Sequence, residues 1–177
     1  MSFVDDIMCG TEVTIKDMMA CREQRVSVQN ILLKKHPVPV ISFCMNIPGP
    51  VKTTPLIRAG FEQGKEALLS ALSTHNITVL DSFQFHKPTG DELFLSVSAP
   101  AERLKKITCS IEERHPLGRL FDMDIIQTDG TKVCRSIFRK CLICGRQAQD
   151  CARSRRHTVF ELQNKICQLL SSELPLI

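Results

Sequence analysis

Two aspartates, Asp122 and Asp124, alternate with Phe121, Met123 and Ile125. A period of two is the signature of a half-buried β-strand, in which residues two apart share a face. Both carboxylates therefore stand on one side of the sheet, where they repel each other unless a positive charge lies between them. Aspartate is also a poor strand former, so its presence twice calls for a reason. A divalent cation supplies one: Mg²⁺ takes hard carboxylate oxygens and leaves positions for substrate phosphates. The same pattern also fits a solvated outer face of an antiparallel strand.

A second cluster has softer chemistry. Cys141, Cys144, Cys151 and His157 are spaced C-x2-C-x6-C-x5-H, four ligands suited to a tetrahedral, fully protein-coordinated and hence structural Zn²⁺. Leu142-Ile143-Cys144-Gly145 resembles a zinc knuckle, its glycine letting backbone amides turn toward the thiolates. Free thiols packed in a small subdomain are the alternative. A redox C-x-x-C is less apt, because no thioredoxin-like βαβ pattern surrounds it.

Other residues suggest phosphate. Residues 46–52, Asn-Ile-Pro-Gly-Pro-Val-Lys, join a predicted strand to a predicted helix capped by Thr53 or Thr54. Gly49 and Lys52 in such a loop suit phosphate binding at a helix N-terminus, although this is no P-loop. An ordinary rigid connection fits the same residues. Arg22 falls within a helical stripe of Ile15, Met18, Met19, Val26 and Leu33, where an inward cation wants a carboxylate or a phosphate. Arg25 sits off the edge of that stripe. Arg119 opens the aspartate strand, and His115 ends the helix before it.

The elements that must position these groups follow from periodicity. A helix spans about residues 14–35, followed by strand 38–47, helix 54–74, strands 77–85 and 93–98, and a helix from Pro100 to Pro116. The aspartate strand and a short return strand through Val133 come next, then a closing helix from Val159. Gly60 and Gly64 weaken the second helix unless another backbone or a ligand approaches closely. The order predicts an α+β fold: a mixed or antiparallel sheet with helices on one face, palm-like or ferredoxin-like. Residues 1–136 form the catalytic domain, and 137–177 add a small Cys/His-rich subdomain and closing helix packed on it.

A chain of 177 residues can bury a real core. With nine Phe and neither Trp nor Tyr, it lacks the stacking rings of a single-strand nucleic-acid platform. Net charge is +4, concentrated in Arg135, Arg139, Lys140, Arg146, Arg153, Arg155 and Arg156, which favours an anionic partner. The nine cysteines are odd in number and scattered, unlike a secreted disulfide framework, and no secretory or membrane-spanning segment is visible. A cytoplasmic location is expected.

His36-Pro37-Val38-Pro39, the 46–52 loop and the run from His115 to Asp124 together resemble the citrate lyase holo-acyl-carrier-protein synthases, also called apo-citrate lyase phosphoribosyl-dephospho-CoA transferases. Residues 20–25 (Ala-Cys-Arg-Glu-Gln-Arg) and the Cys/His cluster fit the same pattern. Phe121 stands where that family often has Trp, and Ile125 where Val is common; neither is a charged position. The resemblance implies a nucleotidyltransferase. It would move phosphoribosyl-dephospho-CoA from triphosphoribosyl-dephospho-CoA to a serine of the apo-acyl carrier protein (γ chain) of citrate lyase. In that reading Asp122 and Asp124 hold Mg²⁺ and Arg119 reaches the triphosphate. Lys52, Gly49 and Arg22 clamp phosphates, and His115 is a candidate general base. The basic tail would meet an acidic carrier, and neither membrane nor nucleic acid is an expected partner. The competing class is a zinc-stabilised protein- or nucleic-acid-binding module that uses residues 139–157, with the aspartates inert.

Overall fold

In the computed structural model, which describes residues 7–174, a capping box opens helix α1 (Ile15–Lys35). The Asp17 N–H donates to Thr14 Oγ1 at 3.2 Å and the Thr14 N–H donates to the Asp17 carboxylate at 2.8 Å, pairing two backbone donors that the helix start leaves free. His36 and Pro37 end it, and β1 (Val40–Met45) follows. Thr54 caps α2 (Pro55–Thr74), with proline in the first turn, where its missing N–H costs nothing. β2 (Val79–Lys87) and β3 (Gly90–Val97) form a hairpin, Gly90 taking φ +114° at its tight return. Helix α3 (Ala101–Arg114), a 3-10 turn (Gly118–Leu120) and β4 (Phe121–Ile126) complete the sheet. Short α4 (Ala148–Arg153) and closing α5 (Val159–Glu173) come last.

The strands pair antiparallel throughout in the order β2-β3-β1-β4, so the α+β class and antiparallel sheet stand. One face carries Ile41, Phe43, Leu93, Leu95, Met123 and Ile125 into the main core beneath α2, α3 and α5. Phe43 stacks on Phe61 of α2 with ring centroids 4.8 Å apart. Gly64 is explained by this packing: a Cβ there would lie 2.6 Å from the Phe43 ring tip and 2.9 Å from Phe121. The glycine lets α2 lie down on two aromatic rings.

The layering departs from helices on one face only, because α1 covers the other. Val28 and Leu32 meet Val40, Phe94 and Ile126 there in a smaller apolar cluster. Its buried stripe is Cys21, Val28 and Leu32, with half-buried Arg25 between, and not the stripe that holds Arg22. Ile15, Met19 and Val26 are 83, 56 and 54% exposed. Both stripes have spacings of i, i+4, i+7, i+11. The sheet chose between them, since its α1-facing side presents the buried acid Glu92, which Arg25 answers.

The expected return strand does not form. It is reduced to one bridge, Ile126 to Lys132, and a Val133 N–H donated to the Ile125 carbonyl at 2.9 Å. The rest of the β4 edge is closed by α3. The Met123 N–H donates to the Glu112 carboxylate at 2.8 Å, and Lys105 Nζ donates to the Met123 carbonyl at 3.1 Å. Two buried charged side chains thus satisfy the backbone that an edge strand leaves open. Among the described residues no helix is long and apolar enough to cross a membrane.

Candidate functional site

Register puts Asp122 opposite Cys44 and Asp124 opposite Ser42 on β1, while Glu92 of β3 lies across Cys44 on the other side. Side chains at these positions share the α1-facing surface. Both aspartates are half-buried, as a strand-borne pair beside a covering helix should be. Glu92 is 2% exposed and accepts from Arg25 Nε at 2.6 Å and from the Cys21 thiol at 3.5 Å. Burial disfavours the charge on Arg25, but the surrounding Cys44, Glu92 and Cys21 outweigh it and raise its pKa. The Cys44 thiol, between these acids, is pushed up to about 12 by burial, and Asp122, Glu92 and Asp124 add to the rise. Asp124 is ion-paired to Lys132. Asp122 has no ion-pair or hydrogen-bond partner among the described residues.

Of the three acids around Cys44, the chain's own cations therefore answer two, Glu92 and Asp124. Glu92 was missed from sequence, because its place beside the carboxylates depends on strand register. Glu112 does not join these acids and is spent on the β4 edge. There its carboxylate, raised by burial, also takes Arg135 Nη2 at 2.8 Å.

Arg22, Gly49 and Lys52 converge. They line one cleft of about 410 Å³ between the start of α1 and the 46–52 loop. Lys52 Nζ donates to the Ile47 carbonyl at 2.7 Å, and its pKa is depressed by burial and then by the Arg22 charge. Two neighbouring cations, with no acid lining the cleft among the described residues, are an arrangement suited to an anion. Gly49 has φ +88° and a Cβ there would lie 2.5 Å from Gln163 of α5, so glycine also permits the loop to meet that helix.

Arg119 belongs to a different concavity. It lines a cavity of about 710 Å³ with Arg139, Arg155 and apolar Leu142, Leu162 and Ile166. Burial, then the charges of Arg139 and Arg135, depress its pKa. Again no acidic side chain lines the space among the described residues. Arg139 is held by the Gly118 carbonyl at 3.3 Å and by the Phe121 carbonyl. Gly118 is required there, since a Cβ would sit 2.6 Å from the Ile111 carbonyl. Asn46 and Pro48 reach this cavity while Gly49, Pro50 and Lys52 reach the other, so the loop leaving β1 is the wall between two cationic spaces.

His115 stands apart from the aspartates. Its ring lies 5.0 Å from that of Phe121, which points to the opposite face of β4. Its Nδ1 accepts the Leu117 N–H at 3.1 Å, and burial lowers its pKa. A neutral ring with Nδ1 as acceptor closes α3 and begins the 3-10 turn.

Cys141, Cys144, Cys151 and His157 come together at the edge of the larger cavity, all four ligand atoms within 4.8 Å of one another. A further polar network also escaped the sequence. Asp91, 3% exposed, holds Arg58 through two donors at 3.1 Å and His86 Nδ1 at 2.8 Å beside the β2–β3 turn.

With this geometry in view, comparison with known proteins is direct. The family described as apo-citrate lyase phosphoribosyl-dephospho-CoA transferase matches residues 13–173. Proteins of that name from Escherichia coli (strain SMS-3-5 / SECEC) and Shigella boydii serotype 18 are each 33% identical over 175 residues. The alignments cover 97% of this chain and 96% of theirs.

Proposed function

Because the chain belongs to the apo-citrate lyase phosphoribosyl-dephospho-CoA transferase family, we propose that it attaches phosphoribosyl-dephospho-CoA to a serine of the citrate lyase acyl carrier protein. The donor in this reading is the triphosphate, triphosphoribosyl-dephospho-CoA. The serine oxygen bonds to the α-phosphorus, the bond from that phosphorus to the leaving oxygen breaks, and pyrophosphate departs. The carrier provides the nucleophile, so this chain needs none, and its work is positioning and charge neutralisation.

One observation carries the assignment of the site. Asp122 lies two residues across from the point where the 46–52 loop leaves β1, and that loop separates two cationic spaces that no acid lines among the described residues. A donor with two separate phosphate groups, the terminal ribosyl triphosphate and the internal CoA diphosphate, suits two such spaces. Arg22 and Lys52 would take one of these anionic groups. Arg119, Arg139 and Arg155 would take the other, with Leu162 and Ile166 against the donor's apolar parts.

Asp122 and Asp124 would hold Mg²⁺. Two hard carboxylates on one rigid face fit a cation that completes its shell with water and phosphate, and Asp122 is not otherwise engaged. When bound, the cation supplies charge stabilisation to the phosphates and lowers the pKa of an attacking hydroxyl. Arg25 and Lys132 set the ground state of this face. They compensate Glu92 and Asp124, so that the site is not left with three uncompensated carboxylates. Location in the cytoplasm agrees with the need for a nucleotide-derived donor and nine unpaired cysteines.

The experiment is intact-mass spectrometry of apo-acyl carrier protein after incubation with this chain, Mg²⁺ and triphosphoribosyl-dephospho-CoA. A mass gain equal to the phosphoribosyl-dephospho-CoA group, with pyrophosphate released one for one, is the expected result. An unchanged carrier would defeat the proposal.

A further inference from the structure

We propose that Cys141, Cys144, Cys151 and His157 form a structural Zn²⁺ site that builds one wall of the arginine-lined cavity. The site is assembled from four local devices. Gly145, at φ +71°, turns the chain back after Cys144, and its N–H donates to the Cys141 carbonyl at 3.3 Å. The same turn is closed from its other side by the Cys141 N–H, which donates to the Arg146 carbonyl at 2.5 Å. Cys151 comes from α4, and the left-handed residue Arg155 (φ 47°) redirects the chain after that helix so that His157 returns to the cluster. Thr158 then starts α5 with its own capping box, so the last ligand is fixed next to a helix start.

Distances suit a metal. Cys144 Sγ and Cys151 Sγ are 3.5 Å apart. A tetrahedron with Zn–S bonds of about 2.3 Å places its sulfurs roughly 3.8 Å apart, whereas a disulfide needs about 2.05 Å. An independent sign is His157 Nε2, which is shielded from solvent and has no hydrogen-bond partner among the described residues. A buried imidazole nitrogen without a partner costs free energy unless it has a ligand. Three thiols and one imidazole with every position filled by protein make the site structural, and binding releases the thiol protons to solvent.

The segment concerned has little else to hold it. Residues 127–147 contain no helix of a full turn and no named strand; Lys132 and Val133 are tied to β4, and beyond them the segment is held by Arg135 on Glu112 of α3 and by Arg139 on two carbonyls. Zinc would therefore keep Arg139 and Arg155 facing Arg119 across the cavity. Like charges otherwise push such a wall apart.

The test is metal content, and it reads out whether or not the chain is a transferase. Full-length protein purified without chelator is expected to carry one Zn²⁺ per chain by elemental mass spectrometry. Co²⁺ exchanged into the same protein is expected to show the intense thiolate-to-cobalt and d–d bands of a tetrahedral site. Cys144→Ser, which changes an exposed ligand, is expected to lower zinc occupancy at least tenfold while circular dichroism stays that of a folded α+β protein. If that variant fails to fold, the zinc and cobalt results on the unaltered chain still decide. Folded wild-type protein with no stoichiometric metal and no cobalt bands, or with a Cys144–Cys151 disulfide seen as a 2 Da loss, overturns the proposal.

Discussion

The two clusters that could hold metals are built in opposite ways. At the Cys/His cluster four soft ligands from a turn, a short helix and a helix start converge within 4.8 Å, so the protein supplies the whole shell. On the sheet, two hard carboxylates stand on one strand, and the chain's own cations, Lys132 and Arg25, already answer their neighbourhood. A closed soft shell on irregular backbone suits a metal that holds a fold together. An open hard pair on a strand suits one that arrives with its substrate. The difference teaches where a mutation should be felt: in stability at one cluster, in turnover at the other.

The sharpest way to break this contrast is Asp122→Asn. It should cut transfer by roughly 10²–10³-fold, the scale of losing one preorganised charge at a transferring phosphoryl group, while the thermal midpoint barely moves. A collapse of stability with proportionate loss of activity would make Asp122 a structural residue instead. Next in size is Glu112→Ala, which unpairs Arg135 and the Met123 N–H together. Breaking a buried pair of this kind costs about 3 kcal/mol, or roughly 10 °C in a chain this long, measurable by calorimetry. Because Arg135 ties the segment leading to the Cys/His cluster to α3, that variant should also lose zinc more readily to a chelator.

A smaller effect is expected of Arg22→Ala. It should raise KM for the triphosphate donor by about tenfold, near 1.4 kcal/mol of binding, and leave kcat nearly unchanged. A fall in kcat alone would move Arg22 from clamping to chemistry. Smallest is a pH effect at His115. Burial lowers its folded-state pKa below the ordinary value, so the unfolded chain takes up the proton first as pH falls. Its contribution to stability is thus whole above about pH 6.5 and declines as the pH drops toward the folded value. His115→Gln keeps an acceptor for the Leu117 N–H and should flatten the loss of stability between pH 7 and 5. An unchanged slope would mean another group carries it.

Much of this arrangement was legible because period and spacing are local. The aspartate strand declared itself by alternation, the knuckle by C-x2-C and glycine, and Gly64 by the price a helix sets on it. The face of α1 was not legible. Its two apolar stripes have the same spacing, and only the sheet's buried Glu92, invisible without strand register, selects the one containing Arg25. The same absence of register hid Cys44 and the Asp91 network. Arg119 and Asp122 are three residues apart in sequence, but the 3-10 turn sends Arg119 to the larger cavity while Asp122 faces α1. Sequence proximity alone would place them in one site.

The most direct measurement is a Mg²⁺ titration of carrier modification, followed by intact mass, for the wild-type chain and Asp122→Asn at equal zinc content. The wild type should transfer only with added Mg²⁺, and the variant should need at least tenfold more to reach half its own maximal rate. Superimposable titrations, or full transfer in the presence of a Mg²⁺ chelator, would contradict the assignment of a catalytic metal to the aspartate pair.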